Sequence, residues 1–505
     1  MIFNVRKTVF TVFALVLSLN MITAQKIGIF DNSQDIGNVK HKGSTIYNPE
    51  DQSYTMTGSG TNMWGDHDEF QYLWKSIQGD FILRAHIEFV GEGVDPHRKI
   101  GWVVRNNFHP NSPIVNASIH GDGLTSLQFR RTKGGETEQV VQSENKAPDV
   151  VQLERRGNTY IMSTAKFGEP LESVEVEMNL RNEVFVGLGI CSHNNDVVEK
   201  AIFKNVRIIK PVDPDYQPYR DYIGSHLEVM NVETGERKIL ASFAHSIQAP
   251  NWTPDGKTLI YNSNGVLYKY DLATGNISML NTGFASDNNN DHVLSVDGTK
   301  IAISHHNADD ERKSSIYYLP IEGSDTPTKV TKDGVGHSYL HSWSKDNKKM
   351  IFTANRNDNW NIYEVDVATG KEKQLTDTPT LDDGSEYSPD NKSIFFNSNR
   401  TGTMQLWKMK ANGKDQTQLT FDETNDWFAH FSPDGKKIVY ISFPADMDSS
   451  THPFYKHCLI RMMPVEGGKS KVIAYVYGGQ GTINVPSWSP DNKYIAFVTN
   501  TNDAN

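Results

Sequence analysis

The chain has 505 residues, 37% hydrophobic, 22% charged and 10% aromatic, a globular composition with room for two or three domains. Its formal net charge of -11 argues against nucleic acid or an anionic membrane surface as the main partner. An exported chain of this size with only two cysteines, Cys191 and Cys458, does not depend on disulfides.

Residues 1–24 read as a secretory signal. Arg6 and Lys7 give the positive end, Val9 to Leu19 a short apolar core, and Ile22-Thr23-Ala24 a cleavage site before Gln25. The apolar run is short for a membrane span, and no cysteine follows it as a lipid-attachment site. The expected mature protein is soluble, secreted or periplasmic, with no membrane span after signal removal.

Residues 26–210 hold alternating runs separated by Gly, Asn, Asp and Pro, among them DFILRAHIEF, KIGWVVRNN, SLQFRR, VVQLERRG and VFVGLGIC. None has helical periodicity, which predicts a two-sheet β-sandwich. Cys191, inside VFVGLGIC, is expected to be a small buried hydrophobe. The stretch NMWGDHDEFQYLWKSIQGDFILRAHIEF, followed by IGWVVRNN, resembles the concanavalin-like sandwich domains that accompany carbohydrate-active proteins. The resemblance implies a sheet face that binds sugar, with rings stacking on sugar faces and Arg, His and Gln meeting hydroxyls. Trp64, Trp74, Trp102, Arg105, His120, Gln128 and Arg130 are the candidates. Trp74 and Trp102 also fit a core role, and Arg130 a solvated edge. Residues 211–224, PVDPDYQPYRDYIG, read as a semi-rigid linker whose tyrosines pack on the domain that follows.

Residues 225–505 are built on a repeat. A turn between two strand runs starts at WTPDGKTLIY (Trp252), LSVDGTKIAI (Leu294), WSKDNKKMIF (Trp343), YSPDNKSIFF (Tyr387), FSPDGKKIVY (Phe431) and WSPDNKYIAF (Trp488). The second half recurs as LYKYDLATG, IYYLPIEG, IYEVDVATG, LWKMKANG and LIRMMPVEGG. A period of roughly 40–45 residues with four strands per unit signals propeller blades. The last repeat stops after its second strand, and an orphan outer half, SHLEVMNVETGERKIL, sits upstream from Ser225. Joining the two closes a six-bladed ring and hides the sheet edges. The SPDG/SPDN turns, the IYxxD-type strands and the DxxTG endings followed by LT resemble the TolB-type propeller repeat over residues 219–505. The expected fold class is all-β: a concanavalin-like β-sandwich followed by a six-bladed β-propeller closed by its N- and C-terminal strands.

There is no GxSxG nucleophile elbow, HExxH, P-loop, Rossmann glycine pattern or EF-hand loop. The chemistry that remains is at the blade entries, on strands bordering the central channel. His292, His341, Glu386 and His430 approach it from four successive blades, with Asp291 and His337 beside them. Imidazoles and a carboxylate converging on one point can hold a divalent metal, or act as acid and base without one. Strand phase divides the set. His292 and His341 share one register, while Glu386 and His430 are shifted by one residue, which turns a side chain to the opposite face. Two loops add polar groups: His305, His306 and Asp309 to Arg312 in one, His452, Tyr455 and His457 in the other.

GHSYLHSWSKDN from Gly336 and DHVLSVDG from Asp291 are similar to blade entries of the propeller-fold oligogalacturonate lyases. That likeness implies a channel-mouth metal held by histidines, here His292 and His341, although that family has seven blades and no such sandwich. Three functional readings follow. The first is an exported glycan-associated binding or accessory protein, with polysaccharide, oligosaccharide or a protein as partner. The second is a metal-assisted polysaccharide lyase or hydrolase. The third is a protein-interaction scaffold of the envelope.

Overall fold

The computed structural model describes residues 26–141 and 145–503, so the signal-like segment lies outside the described residues. No helix among the described residues is long and apolar enough to cross a membrane. The protein is all-β: among the described residues, regular structure beyond the strands amounts to two short 3-10 turns, Ala308–Asp310 and Gln480–Thr482.

Two seven-stranded antiparallel sheets come first. One runs, edge to edge, through Asn32–Ile36, Phe70–Gln78, Glu183–Cys191, Lys99–Arg105, Ile114–His120, Thr125–Arg130 and Glu138–Val141. The other contains Phe81–Val90, Val150–Arg156, Thr159–Ala165 and Glu199–Ile209 at its centre. Alternation turns Trp102, Val104 and Leu188 of the first toward Leu83, Leu153 and Phe203 of the second, in one shared core. Both cysteines are free and buried. Burial pushes the Cys191 thiol up to about 11, as befits an inert core residue.

Five four-stranded sheets and one three-stranded sheet follow. Blades 1 to 5 begin at Gln248–Trp252, Asn288–Leu294, Ser338–Trp343, Asp382–Tyr387 and Asn425–Phe431. The sixth is closed by both ends of the chain: Tyr494–Thr501 pairs with Gly224–Asn231, which pairs with Arg237–Phe243. Its inner strand is reduced to a single bridge, Trp488 to Ile495. The repeated turn is local chemistry. In each copy a Ser or Thr hydroxyl donates to the Asp two residues on, as in Ser344 to Asp346 (2.7 Å) and Ser432 to Asp434 (2.7 Å). The next residue takes positive φ, Asn347 at 58° and Gly435 at 68°, which is why this position is always Gly or Asn.

Sandwich and propeller meet through buried charge. Glu228 of blade 6 is fully buried between Arg207 of the sandwich (2.6 Å) and Arg237 (3.0 Å), and accepts the Thr499 hydroxyl at 2.6 Å. Arg84 and Arg237 both donate to the Tyr475 carbonyl. The segment before the propeller packs by its rings: Tyr216 on Tyr455 (5.3 Å between centroids) and Tyr219 on Phe454 (4.8 Å). Ile223 N–H donates to the Tyr455 hydroxyl at 3.3 Å.

Candidate functional site at the propeller mouth

The innermost strands do not alternate without interruption. In each of blades 1 to 5 the register to the second strand slips: between Gln248 and Asn251, Asn288 and His292, Leu340 and Ser342, Asp383 and Glu386, and Trp427 and His430. These are β-bulges, and a bulge re-aims the side chains around it. The backbone turns left-handed at Ala249 (φ 58°), Gly384 (φ 59°) and Phe428 (φ 54°). His341 is itself the extra residue of blade 3, since its neighbours Leu340 and Ser342 face successive residues Phe352 and Ile351. Phase counted along an ideal strand therefore misplaces this set.

The bulges assemble one cluster at the floor of a cavity of about 1000 Å³ at one mouth of the ring. Asp383, 4% exposed, is its centre. His341 Nε2 lies 2.9 Å from Oδ1, His452 Nε2 lies 2.9 Å from Oδ2, and the Thr353 hydroxyl donates to Oδ1 at 2.7 Å. Burial works to raise the Asp383 carboxyl, but the two imidazoles hold it well below the usual carboxylate range. Burial opposes charge on His341 too; the Asp383 hydrogen bond and the charges of Asp383, Asp291 and Glu386 win, raising it above its ordinary value. Asp291, 3% exposed, accepts amide N–H from Asn289 (2.5 Å) and Asn484 (3.0 Å). Burial pushes its carboxyl up, His341 opposes that, and the neighbouring charge of Asp383 adds to it.

One wall is aromatic. Tyr339 and Trp360 lie with centroids 5.9 Å apart and planes 21° apart, and His337 stacks behind Tyr339 at 5.8 Å and 12°. Tyr219, Tyr222 and Phe454 line the cavity from the pre-propeller segment and the long loop of blade 5. His306 and Arg312 stand on the rim, where Arg312 pairs with Asp287 at 2.8 Å.

Of the residues singled out in the sequence, Asp291, His306, Arg312, His341 and His452 line this cavity, and His337 supports its wall. The four proposed metal ligands are not brought together. His292 is fully buried between blades, its ring nitrogens 3.1 Å and 3.3 Å from the carbonyls of Asn290 and Ile260. His430 and Glu386 pair with each other at 2.6 Å, and His430 Nε2–H donates to the Ile483 carbonyl at 2.8 Å. Among the described residues no group of three His, Cys, Asp or Glu is arranged to hold a metal ion.

The sandwich candidates are corrected likewise. Arg130 and Arg105 are fully buried. Arg130 grips Asp68 at 3.0 and 2.8 Å and Arg105 donates to the carbonyls of Asn107 and His109, so both hold the 65–68 hairpin and nearby loops instead of facing a ligand. Trp102 is core, its Nε1–H donating to the Val151 carbonyl. Trp74 packs on Phe108 and Phe185, while Trp64 is 37% exposed. His120 is buried beside Gln128 (3.1 Å), and burial brings it down to about 3.

Sequence reasoning missed Asp383 and Thr353, and left His452 on a loop of unassigned face. The signal for Asp383 was available: LDDGSEY puts two acids before a glycine at the point where the other inner strands carry their polar residue.

With the geometry in hand, the comparisons are specific for the propeller. The family model "TolB beta propeller domain" matches residues 292–505. The uncharacterised protein Atu1656 of Agrobacterium fabrum (strain C58) is 40% identical over 276 residues, which is 54% of this chain and 92% of the relative. The chain belongs to the TolB-type propeller family. A solved structure from Agrobacterium tumefaciens, provisionally assigned as TolB, matches at 38% identity and TM-score 0.52, covering 55% of this chain and 99% of that one. An oligogalacturonate lyase in complex with manganese matches at 13% identity and TM-score 0.36, over 53% of this chain and 70% of its own, too distant to bear on chemistry.

Proposed function

We propose that this TolB-type propeller protein is an exported, glycan-associated binding protein whose ligand site is the mouth cavity, with a concanavalin-like sandwich as its accessory domain. The observation that carries the reading is one cavity that joins a flat aromatic wall, Tyr339 and Trp360, to a floor of hydrogen-bonding groups around Asp383. Aromatic faces and convergent polar side chains are what a hydroxylated ring requires: stacking on its C–H face and acceptors for its hydroxyls. The amides of Asn262, Asn289, Asn359 and Asn399 on the same lining add both donors and acceptors. Export rests on the signal-like residues 1–24.

The test is titration of the mature protein with short oligosaccharides, read by tryptophan fluorescence and calorimetry. Binding that weakens at least tenfold in Tyr339→Ala supports the reading. Binding that Tyr339→Ala leaves untouched moves the site off the mouth.

A second reading, acid–base catalysis at the same floor, is favoured by one carboxylate held between two imidazoles inside a cavity. Its check is product formation from any oligosaccharide that binds, abolished in His341→Asn while binding persists.

A further inference from the structure

The charge of the mouth limits what it can take. Four carboxylates line the cavity, Asp287, Asp291, Asp358 and Asp383, against one fixed cation, Arg312. Arg312 is already paired with Asp287 at 2.8 Å. Asp383 is shared by His341 and His452. Asp291 is different. It is 3% exposed, meets only the neutral amides of Asn289 and Asn484, and makes no ion pair among the described residues. His341 and His452 act on it only through space, no cation among the described residues hydrogen-bonds to it, and it lies beside an open cavity rather than in a packed core.

A second, independent feature points the same way. Asn288 lines the cavity, 5% exposed, and its Nδ2 donates to the carbonyls of Gly265 (2.8 Å) and Ala285 (2.7 Å). Those two bonds fix the amide orientation and leave Oδ1 with no donor among the described residues. Asn484 repeats the pattern: its Nδ2 donates to Asp291 and its Oδ1 has no partner. The side chains that hydrogen-bond Asp291 are neutral amides, so this floor suits a positively charged, donor-rich group better than an acceptor-rich one. An ammonium is all donors and would give Asp291 a hydrogen-bonded cation. Wall and floor adjoin: Tyr339, Trp360, Asp291 and Asp383 line the same cavity. An ammonium reaching Asp291 therefore passes the aromatic faces, which also attract cations.

We infer that the mouth selects amine-bearing saccharides, with the ammonium of an amino sugar against Asp291 and the sugar ring on Tyr339 and Trp360. The inference rests on the mouth being a saccharide site, and it excludes uronates, whose carboxylates would meet Asp291, Asp358 and Asp383 with no free arginine or lysine on the lining.

The experiment is calorimetric titration of the mature protein with three oligomers of equal length: β-linked glucosamine, its N-acetylated form, and galacturonate. Glucosamine oligomer is expected to bind at least tenfold more tightly than the acetylated one, with galacturonate weakest. Asp291→Asn should erase the preference of the glucosamine oligomer over the acetylated one, and a preference that survives the substitution overturns the inference. Asp358→Asn, exposed at the rim, is the second variant should Asp291→Asn not fold, and it should reduce the preference at least twofold. Equal or tighter binding of the acetylated oligomer or of galacturonate overturns the inference and leaves the saccharide reading standing. Binding of none of the three overturns both.

Discussion

Replacing Glu228 by Gln tests how sandwich and propeller are joined. The side chain is fully buried, with Arg207 Nη2 at 2.6 Å, Arg237 Nη2 at 3.0 Å and the Thr499 hydroxyl at 2.6 Å. Gln keeps the shape and the Thr499 bond but strips the charge, leaving two buried guanidinium groups facing each other with Arg84 nearby. Breaking a buried pair by removing one partner costs about 3–5 kcal/mol, chiefly because the remaining charge is uncompensated. The pH dependence has a definite sign. Burial opposes ionisation, but the two arginines drive the Glu228 carboxyl far below its ordinary value of 4.5. Its stabilisation is therefore complete above that value and drains away as pH falls below it. Differential scanning calorimetry is the assay. Wild type should lose stability between about pH 4.5 and pH 2 more steeply than Glu228→Gln, and the variant at pH 7 should melt lower or separate into two transitions. An unchanged melting profile at pH 7 would refute the claim that this ion triad couples the two parts.

Other perturbations probe the ring and its mouth. Trp343→Ala removes a ring that is 2% exposed and donates to the Val293 carbonyl at 3.1 Å, so blade 3 should lose about 3–5 kcal/mol by thermal melt. Asp383→Asn should lower the His341 titration midpoint, followed by NMR of the ring protons. Because the folded-state midpoint is raised above 6.5, the contribution of His341 to stability is full below that pH and is lost as pH rises through the folded midpoint. Burial pushes Asp426 up to about 6, with Ser442 its main opposing partner and Oδ2 unpartnered. The folded state thus holds its proton more tightly between 3.8 and about 6, and stability falls as pH rises through that window. The stability of Asp426→Asn relative to wild type should grow by about 2–3 kcal/mol from pH 3.5 to pH 7 in urea titrations, and a flat difference would remove Asp426 as a buried acid.

Much of the architecture is written in local chemistry. The Ser-x-Asp turn with Gly or Asn next in line closes a hairpin through hydrogen bonds spanning two to five residues, as at Ser344 to Lys349. Such bonds depend on neighbours in the chain, so the repeats, the blade count and the closure by Tyr494–Thr501 against Gly224–Asn231 could be read before any fold was known. The all-β sandwich was legible for the same reason: alternation is a local property.

The mouth was legible only in part. His341 and Asp291 were found as polar residues at blade entries, but the rule for sorting them assumed unbroken strands. A bulge is decided by the partner strand, as when Leu340 and Ser342 must face adjacent residues on the second strand and push His341 out of the ladder. His292 and His430, in superficially similar positions, are instead held by carbonyls and Glu386. The Asp383 cluster joins residues 42 and 69 positions apart in the chain. His452 reaches it because its loop is anchored by Phe454 and Tyr455 on the tyrosines that precede the propeller. The sequence by itself determined the strands, the turns and the ring, since each follows from contacts within a few residues. Tertiary structure alone decided which side chains share the mouth, because that depends on register slips and loop anchors set by residues far away in the chain.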